Sequence, residues 1–177
     1  ANKWVSRGSG KLIGALDAFP AIDVNGRVCV DAGASTGGFT AILLERGAVR
    51  VFSIDVGYGQ LAWSLQQDPR VVVMDRFNVR HLSATDLDQP ADLVVADLSF
   101  ISLRTVLPAL RASVEPSADF VLMVKPQFEV GRERLGKNGV VRDPDVRADA
   151  VMGVARSAAD IGLGCAGIEA SPLPGPS

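Results

Sequence analysis

The sequence predicts an α/β architecture, a mostly parallel sheet with helices on both faces, and three observations carry that prediction. Short apolar runs alternate with stretches of helical character, the order that builds parallel strands joined by right-handed crossovers. Several of those runs end in a charged residue, where an open α/β sheet gathers its functional side chains. And one strand-to-helix connection, Asp31-Ala-Gly-Ala-Ser-Thr-Gly-Gly-Phe-Thr40, is rich in glycine, which lets backbone pass close to a ligand that any Cβ would obstruct.

In order, the pattern predicts a helix from about Gly10 to Phe19 and a strand over 27–31, the apolar Val28-Cys29-Val30 closing on Asp31. The glycine turn leads into a helix over 38–46. A strand over 50–55 ends in Asp55, and Gly57 and Gly59 open a turn and a helix over 59–67. Val71 to Met74 form a strand that ends at Asp75, with Asn78 three residues on. Asp92 to Ala96 read as a strand ending at Asp97, Leu103 to Ala112 as a helix, and Phe120 to Val124 as a strand ending at Lys125. A glycine-rich loop then runs to about Pro144, a helix follows to about Ile161, and Cys165 to Ala170 read as a last strand before the proline punctuation of 172–176.

The glycine turn is a ligand turn of a particular kind. A dinucleotide site wants G-x-G-x-x-G, and the second position after Gly33 is Ser35. Asp31 at the strand end would repel pyrophosphate and attract an ammonium or sulfonium. Asp55 suits the two hydroxyls of a ribose, and either Asp75 or Asn78 suits the adenine amino group as an acceptor. Turn chemistry is an equal account of Asn78, and a plain strand-helix turn is the competing account of the glycines.

Composition narrows the class. With 177 residues, 47% of them hydrophobic and 21% charged, the chain is expected to form one globular domain with a sizeable core. No stretch reaches the roughly 18 apolar residues of a membrane span, and no signal peptide opens the sequence, so a soluble cytoplasmic protein is expected. Cys29 and Cys165 lie in apolar runs without a C-x-x-C partner and are expected as buried thiols. His81 is the single histidine, which argues against zinc and suits a solvated loop.

A net charge of −2 is not that of a stand-alone nucleic-acid binder. Two local basic patches stand out nonetheless: Lys3, Arg7 and Lys11 in a segment without acids, and Arg132, Arg134, Lys137 and Arg142 among glycines. They are candidates to cradle a phosphate backbone, with a solvated surface as the alternative. Lys125, at the end of an apolar strand and before Pro126, is hard to explain by packing, since buried lysines are paired. A structural Asp97–Lys125 ion pair is the plain alternative to a catalytic one.

With these residues the sequence resembles the methyltransferase domain of the TlyA family of ribosomal RNA 2′-O-methyltransferases, often called haemolysins and related to the FtsJ (RrmJ) group. The segments that carry the resemblance are Val5 to Gly8, Lys11-Leu12, Asp31 to Thr40, Asp55-Val-Gly-Tyr-Gly-Gln-Leu61, Ala96-Asp-Leu-Ser-Phe-Ile-Ser-Leu103, Lys125-Pro-Gln-Phe-Glu129, Gly139 to Pro144 and Ser171 to Ser177. They run along essentially the whole chain. The resemblance implies a Rossmann-like class I fold that binds S-adenosyl-L-methionine through Asp31, Gly33, Ala34, Ser35, Thr36, Gly37, Gly38, Phe39, Asp55, Asp75, Asn78 and Asp97. It implies a Lys-Asp-Lys-Glu catalytic set whose first three members map onto Lys11, Asp97 and Lys125, and cytidine riboses of ribosomal RNA or ribosomal subunits as partners. It also implies an N-terminal S4-like RNA-binding domain, with residues 1–7 as linker and 8–177 as the methyltransferase domain.

Two departures accompany the resemblance. Gly10 stands where the family usually has histidine before the first lysine. The family's glutamate and last strand lie beyond Ser177, so this chain is expected to lack both and to be impaired in turnover.

The residue types suit the implied chemistry. A ribose 2′-hydroxyl is a weak acid, so methyl transfer needs it held in line and its proton removed as the bond forms. Lys125 is the candidate base, which requires its pKa to fall by several units from about 10.4, through burial and a like charge such as Lys11. Asp97 would orient the lysine and favour the sulfonium. No metal is expected, because the leaving group departs neutral. A nicotinamide-dependent oxidoreductase and a pore-forming, non-enzymatic protein are the alternatives; the failed dinucleotide fingerprint weighs against the first, and the lack of a spanning or amphipathic segment against the second.

Overall fold

The computed structural model describes residues 5–175, so Lys3, most of the 1–7 linker and the last two residues of the 171–177 segment lie outside the described residues. Within them five strands form one all-parallel sheet: β1 (Val28–Ala32), β2 (Arg50–Ile54), β3 (Val71–Met74), β4 (Leu93–Ala96) and β5 (Asp119–Leu122), in the order β3-β2-β1-β4-β5. The order reverses direction at β1, whose two neighbours leave in opposite senses along the chain. That reversal opens a crevice beyond the carboxyl ends of β1 and β4.

Five helices cover the sheet: α1 (Ser9–Ala18), α2 (Gly38–Glu45), α3 (Trp63–Gln66), α4 (Leu103–Ser113) and α5 (Pro144–Asp160). The period of two along each strand sorts side chains between two cores. Cys29, Val51, Leu93 and Val95 pack with Leu12 and Leu16 of α1 and Phe39, Ile42 and Leu43 of α2. Their neighbours Val30, Phe52, Val94 and Ala96 pack the other way, with Val106, Leu107 and Leu110 of α4 and Val154 of α5. β1 and β4 are buried on both faces, which is why they read as unbroken apolar runs.

Helix ends follow local chemistry. Ser102 caps α4, its hydroxyl accepting from the Arg104 N–H at 3.1 Å, and Asp143 caps α5 from before Pro144, accepting from the Asp145 N–H at 2.9 Å. The final segment returns over α1, where a Cβ on Gly14 would stand 2.7 Å from the Pro172 ring.

Three expectations are corrected. The helix expected over 59–67 is a single turn, because Gly57 and Gly59 are bound instead into a loop, their N–H groups donating to Asp55 Oδ1 at 2.8 Å and Asp75 Oδ2 at 3.0 Å. Residues 165–170 form no strand, and Cys165 is exposed rather than buried. Gly162, Gly164 and Gly167 punctuate that segment, and glycine weakens a strand that has no ladder to join. The loop from Pro126 to Asp143 is shaped by three short 3₁₀ turns.

Candidate active site

The glycine turn folds tightly over the end of β1. The N–H groups of Gly33 and Ala34 both donate to the Ile54 carbonyl, at 2.9 and 3.0 Å. Gly33 has φ +86 and Gly37, at the start of α2, has φ +103, conformations that favour glycine. A Cβ on Gly33 would come within 2.5 Å of the Asp97 carbonyl oxygen. Ser35 and Thr36 are exposed, Gly37 and Gly38 present buried backbone, and the side chains of Ala34 and Phe39 pack into the core.

Asp31 is placed beneath this turn, fully buried. Thr40 of α2 donates to its Oδ2 at 2.7 Å and lies 2.7 Å from the Ser53 hydroxyl, while Asp31 Oδ1 is buried with no hydrogen-bond partner. Burial pushes the carboxyl up to about 7; the Thr40 hydrogen bond opposes this and the charge of Asp97 adds to it.

Across the crevice, β4 and β5 deliver the charged pair that the sequence singled out. Lys125 Nζ lies 2.7 Å from Asp97 Oδ1, and Lys11 Nζ of α1 donates to Asp97 Oδ2 at 2.9 Å. One carboxylate thus separates two ammonium groups that lie far apart in the sequence. Lys125 also donates to the Ser99 hydroxyl at 3.1 Å. The three side chains are between 16% and 25% exposed, so the cluster is sheltered but reachable. Burial pushes the Asp97 carboxyl up, and hydrogen bonds and charge from Lys125 and Lys11 together outweigh it, leaving the pKa below its ordinary value.

Asp55 stands at the end of β2, where Oδ2 accepts the Ser35 N–H at 2.8 Å, so it braces the glycine turn while remaining half-buried at the crevice. Asn78 helps to form a turn: its side-chain Oδ1 accepts the Arg80 N–H at 3.0 Å and caps the 3₁₀ turn 79–81. Of the basic candidates, Arg7, Arg132 and Lys137 are exposed, Arg134 pairs with Asp149 at 2.7 Å, and Lys11 is engaged by Asp97.

Several residues at the site escaped the sequence reading. Thr40 and Ser53 carry the buried network under the turn. Glu129 is buried, with Oε1 accepting the Leu103 N–H at 2.8 Å and Oε2 the Ser102 hydroxyl. Phe100 is 90% exposed at φ +64, with its ring 5.2 Å from that of Phe128. Its backbone conformation is costly for a bulky residue and marks this loop as held by its surroundings.

The residues present fit S-adenosylmethionine, on the unpartnered buried oxygen of Asp31, the notch at Gly33 that a Cβ would fill, and the carboxylates at successive strand ends.

Comparison with known proteins agrees. The chain is 62% identical over 174 residues to the 16S/23S rRNA (cytidine-2'-O)-methyltransferase TlyA of Mycobacterium tuberculosis, covering 98% of this chain and 65% of that protein. It therefore spans just under two thirds of that relative's length. A hemolysin-named protein of Streptococcus thermophilus superposes with a TM-score of 0.95 at 40% identity, over 99% of this chain and 63% of the other. At the level of fold alone, an S-adenosylmethionine-dependent methyltransferase of Mesorhizobium loti matches with a TM-score of 0.54 at 22% identity, over 67% of this chain and 55% of the other. A model of the FtsJ-like methyltransferase family matches residues 4–177. With its glycine turn, its acid-ended parallel strands and these likenesses in agreement, the chain belongs to the FtsJ-like methyltransferases.

Proposed function

We propose that this chain is the catalytic domain of an S-adenosylmethionine-dependent 2′-O-methyltransferase acting on ribosomal RNA. The observation that carries the reading is the Lys11–Asp97–Lys125 cluster, with its 2.9 and 2.7 Å contacts, set beside a glycine turn suited to the cofactor. The name of the Mycobacterium tuberculosis relative supports cytidine riboses as the acceptors.

When bound, S-adenosylmethionine supplies an electrophilic methyl group on a sulfonium. The backbone of 33–38 and the carboxylate of Asp55 would hold it, with Asp31 and Thr40 supporting the turn from below. Asp97 fixes the two lysines on opposite oxygens. Lys125 takes the proton of the ribose hydroxyl on Nζ, which first requires it to arrive as the free amine. Lys11, on the far oxygen, keeps Asp97 from swinging toward solvent. The exposed Arg7, Arg132 and Lys137 would serve as phosphate contacts, alongside an S4-like domain in the full-length protein.

Two measurements test the reading. Calorimetric titration with S-adenosylmethionine and with NAD in parallel should give binding of the first alone; binding of NAD alone would overturn the cofactor. Incubation of the full-length protein with ribosomal subunits and labelled S-adenosylmethionine should place label on ribose 2′-oxygens, and label on bases instead would reject the acceptor.

A further inference from the structure

We propose that Glu129 is a positioning residue for the reaction, a clamp that sets the spacing of the two loops bearing Asp97 and Lys125. Its carboxylate is 2% exposed, so its bonding is internal. Oε1 accepts the Leu103 N–H, one of the free donors at the start of α4, and Oε2 accepts the Ser102 hydroxyl. Arg104 closes the same joint from outside, donating to the Glu129 carbonyl at 2.8 Å with its Nε 3.5 Å from Oε2. An anionic carboxylate at the positive end of α4 is well placed, and no water competes for it.

The joint matters because of what lies on either side of it. Glu129 is bound rigidly to Lys125: the Phe128 N–H donates to the Lys125 carbonyl at 2.9 Å, and the Glu129 and Val130 N–H groups donate to the Pro126 carbonyl at 3.0 and 3.2 Å. Ser102 and Leu103 close the loop that begins at Asp97 and contains Ser99 and Phe100. Lys125 meets Asp97 and Ser99 at one end of this frame, Glu129 meets Ser102 and Leu103 at the other, and the Phe100 and Phe128 rings touch between them. A displacement at the Glu129 end is transmitted to the Lys125–Asp97 contact, because the two loops are tied at both ends, by Lys125 to Asp97 and Ser99 and by Glu129 to Ser102 and Leu103. Glu129 itself touches none of the reacting groups and acts through Lys125.

The inference rests on the methyl-transfer reading only for its kinetic arm. The test uses full-length protein with Glu129→Gln, which keeps the side chain's shape and removes its charge and one acceptor oxygen. Acylation of Lys125 by an amine reagent, read by mass spectrometry, should rise about tenfold, as expected when a hydrogen bond to a charged group is lost, while the exposed Lys137 is unchanged. The kcat should fall about 100-fold with the KM for S-adenosylmethionine changed by less than about twofold, because the defect is misplacement of the base and not loss of cofactor binding.

A carboxylate that only caps α4 would lower the melting temperature and leave both kcat of the folded protein and Lys125 reactivity as in the wild type, which would overturn the proposal. Should Glu129→Gln fail to fold, Ser102→Ala, which removes a single donor, should give a smaller rise at Lys125, and no rise would likewise overturn it. A wild-type protein without methyl transfer would reject the function and leave Lys125 acylation to decide the clamp by itself.

Discussion

Lys11 and Lys125 hold opposite oxygens of Asp97, at 2.9 and 2.7 Å, although 114 positions of sequence separate them. Among the described residues the carboxylate is their shared partner at these distances, and it makes one cluster of two cations that would otherwise repel. Three predictions start from this cluster and the turn beside it, and a fourth from the two thiols.

Replacing Lys125 by alanine removes the proposed base and should lower methyl transfer by about 100- to 10,000-fold, the usual share of general-base catalysis. Cofactor affinity should be kept, since Lys125 has no place in the proposed cofactor contacts. Single-turnover assays with labelled cofactor, paired with calorimetry, check both halves; activity retained would remove Lys125 from the role.

Gly33→Ala combines a φ of +86 with a Cβ driven onto the Asp97 carbonyl oxygen. It should cost about 1–3 kcal/mol of stability, the range for a residue forced into a sparsely populated backbone region, and weaken cofactor binding as well. Thermal melting and titration of the variant test this, and wild-type values for both would contradict the geometry.

Asp31 gives stability a pH dependence of unusual sign. Its folded pKa of about 7 stands above the ordinary 3.8, so between those values the native state keeps a proton that the unfolded chain releases. Rising pH across this window therefore favours unfolding: the penalty is absent below the unfolded value, complete above the folded one, and of order 4 kcal/mol if the whole shift is expressed. Asp31→Asn should remove this slope, so denaturant midpoints of the two proteins should diverge in slope between pH 4 and pH 7.

The two thiols should differ in reactivity. Burial, with the charge of Asp92 adding to it, pushes Cys29 up to about 12, and its side chain is fully enclosed, whereas Cys165 is exposed. Iodoacetamide at neutral pH should alkylate Cys165 in the native protein and reach Cys29 only after unfolding.

Much of the fold was legible in the sequence because its cues are local. Val71 to Met74 was bounded by its apolar run alone, and Asp31, Asp55 and Asp97 announced the strand ends. The failures have equally physical causes. Over 59–67 the sequence reads as a turn and a helix, but two carboxylates outside the segment claim the N–H groups of Gly57 and Gly59. Over 165–170 the apolar residues suggested a strand, but no ladder receives them. At the site, Asp97 and Lys125 stood out as charges beside apolar runs. Thr40, Ser53 and Glu129 did not, since a hydroxyl on a helix or a glutamate in a loop shows its function only when its partner across the fold is known.

Gly33 and the Asp97 carbonyl share one contact too narrow for a methyl group. Under the proposed function, ligand choice and bond-making are thereby yoked in this scaffold. A lineage that enlarged the turn to admit another cofactor would have to rebuild the end of β4 in the same step, and single substitutions offer no path between the two.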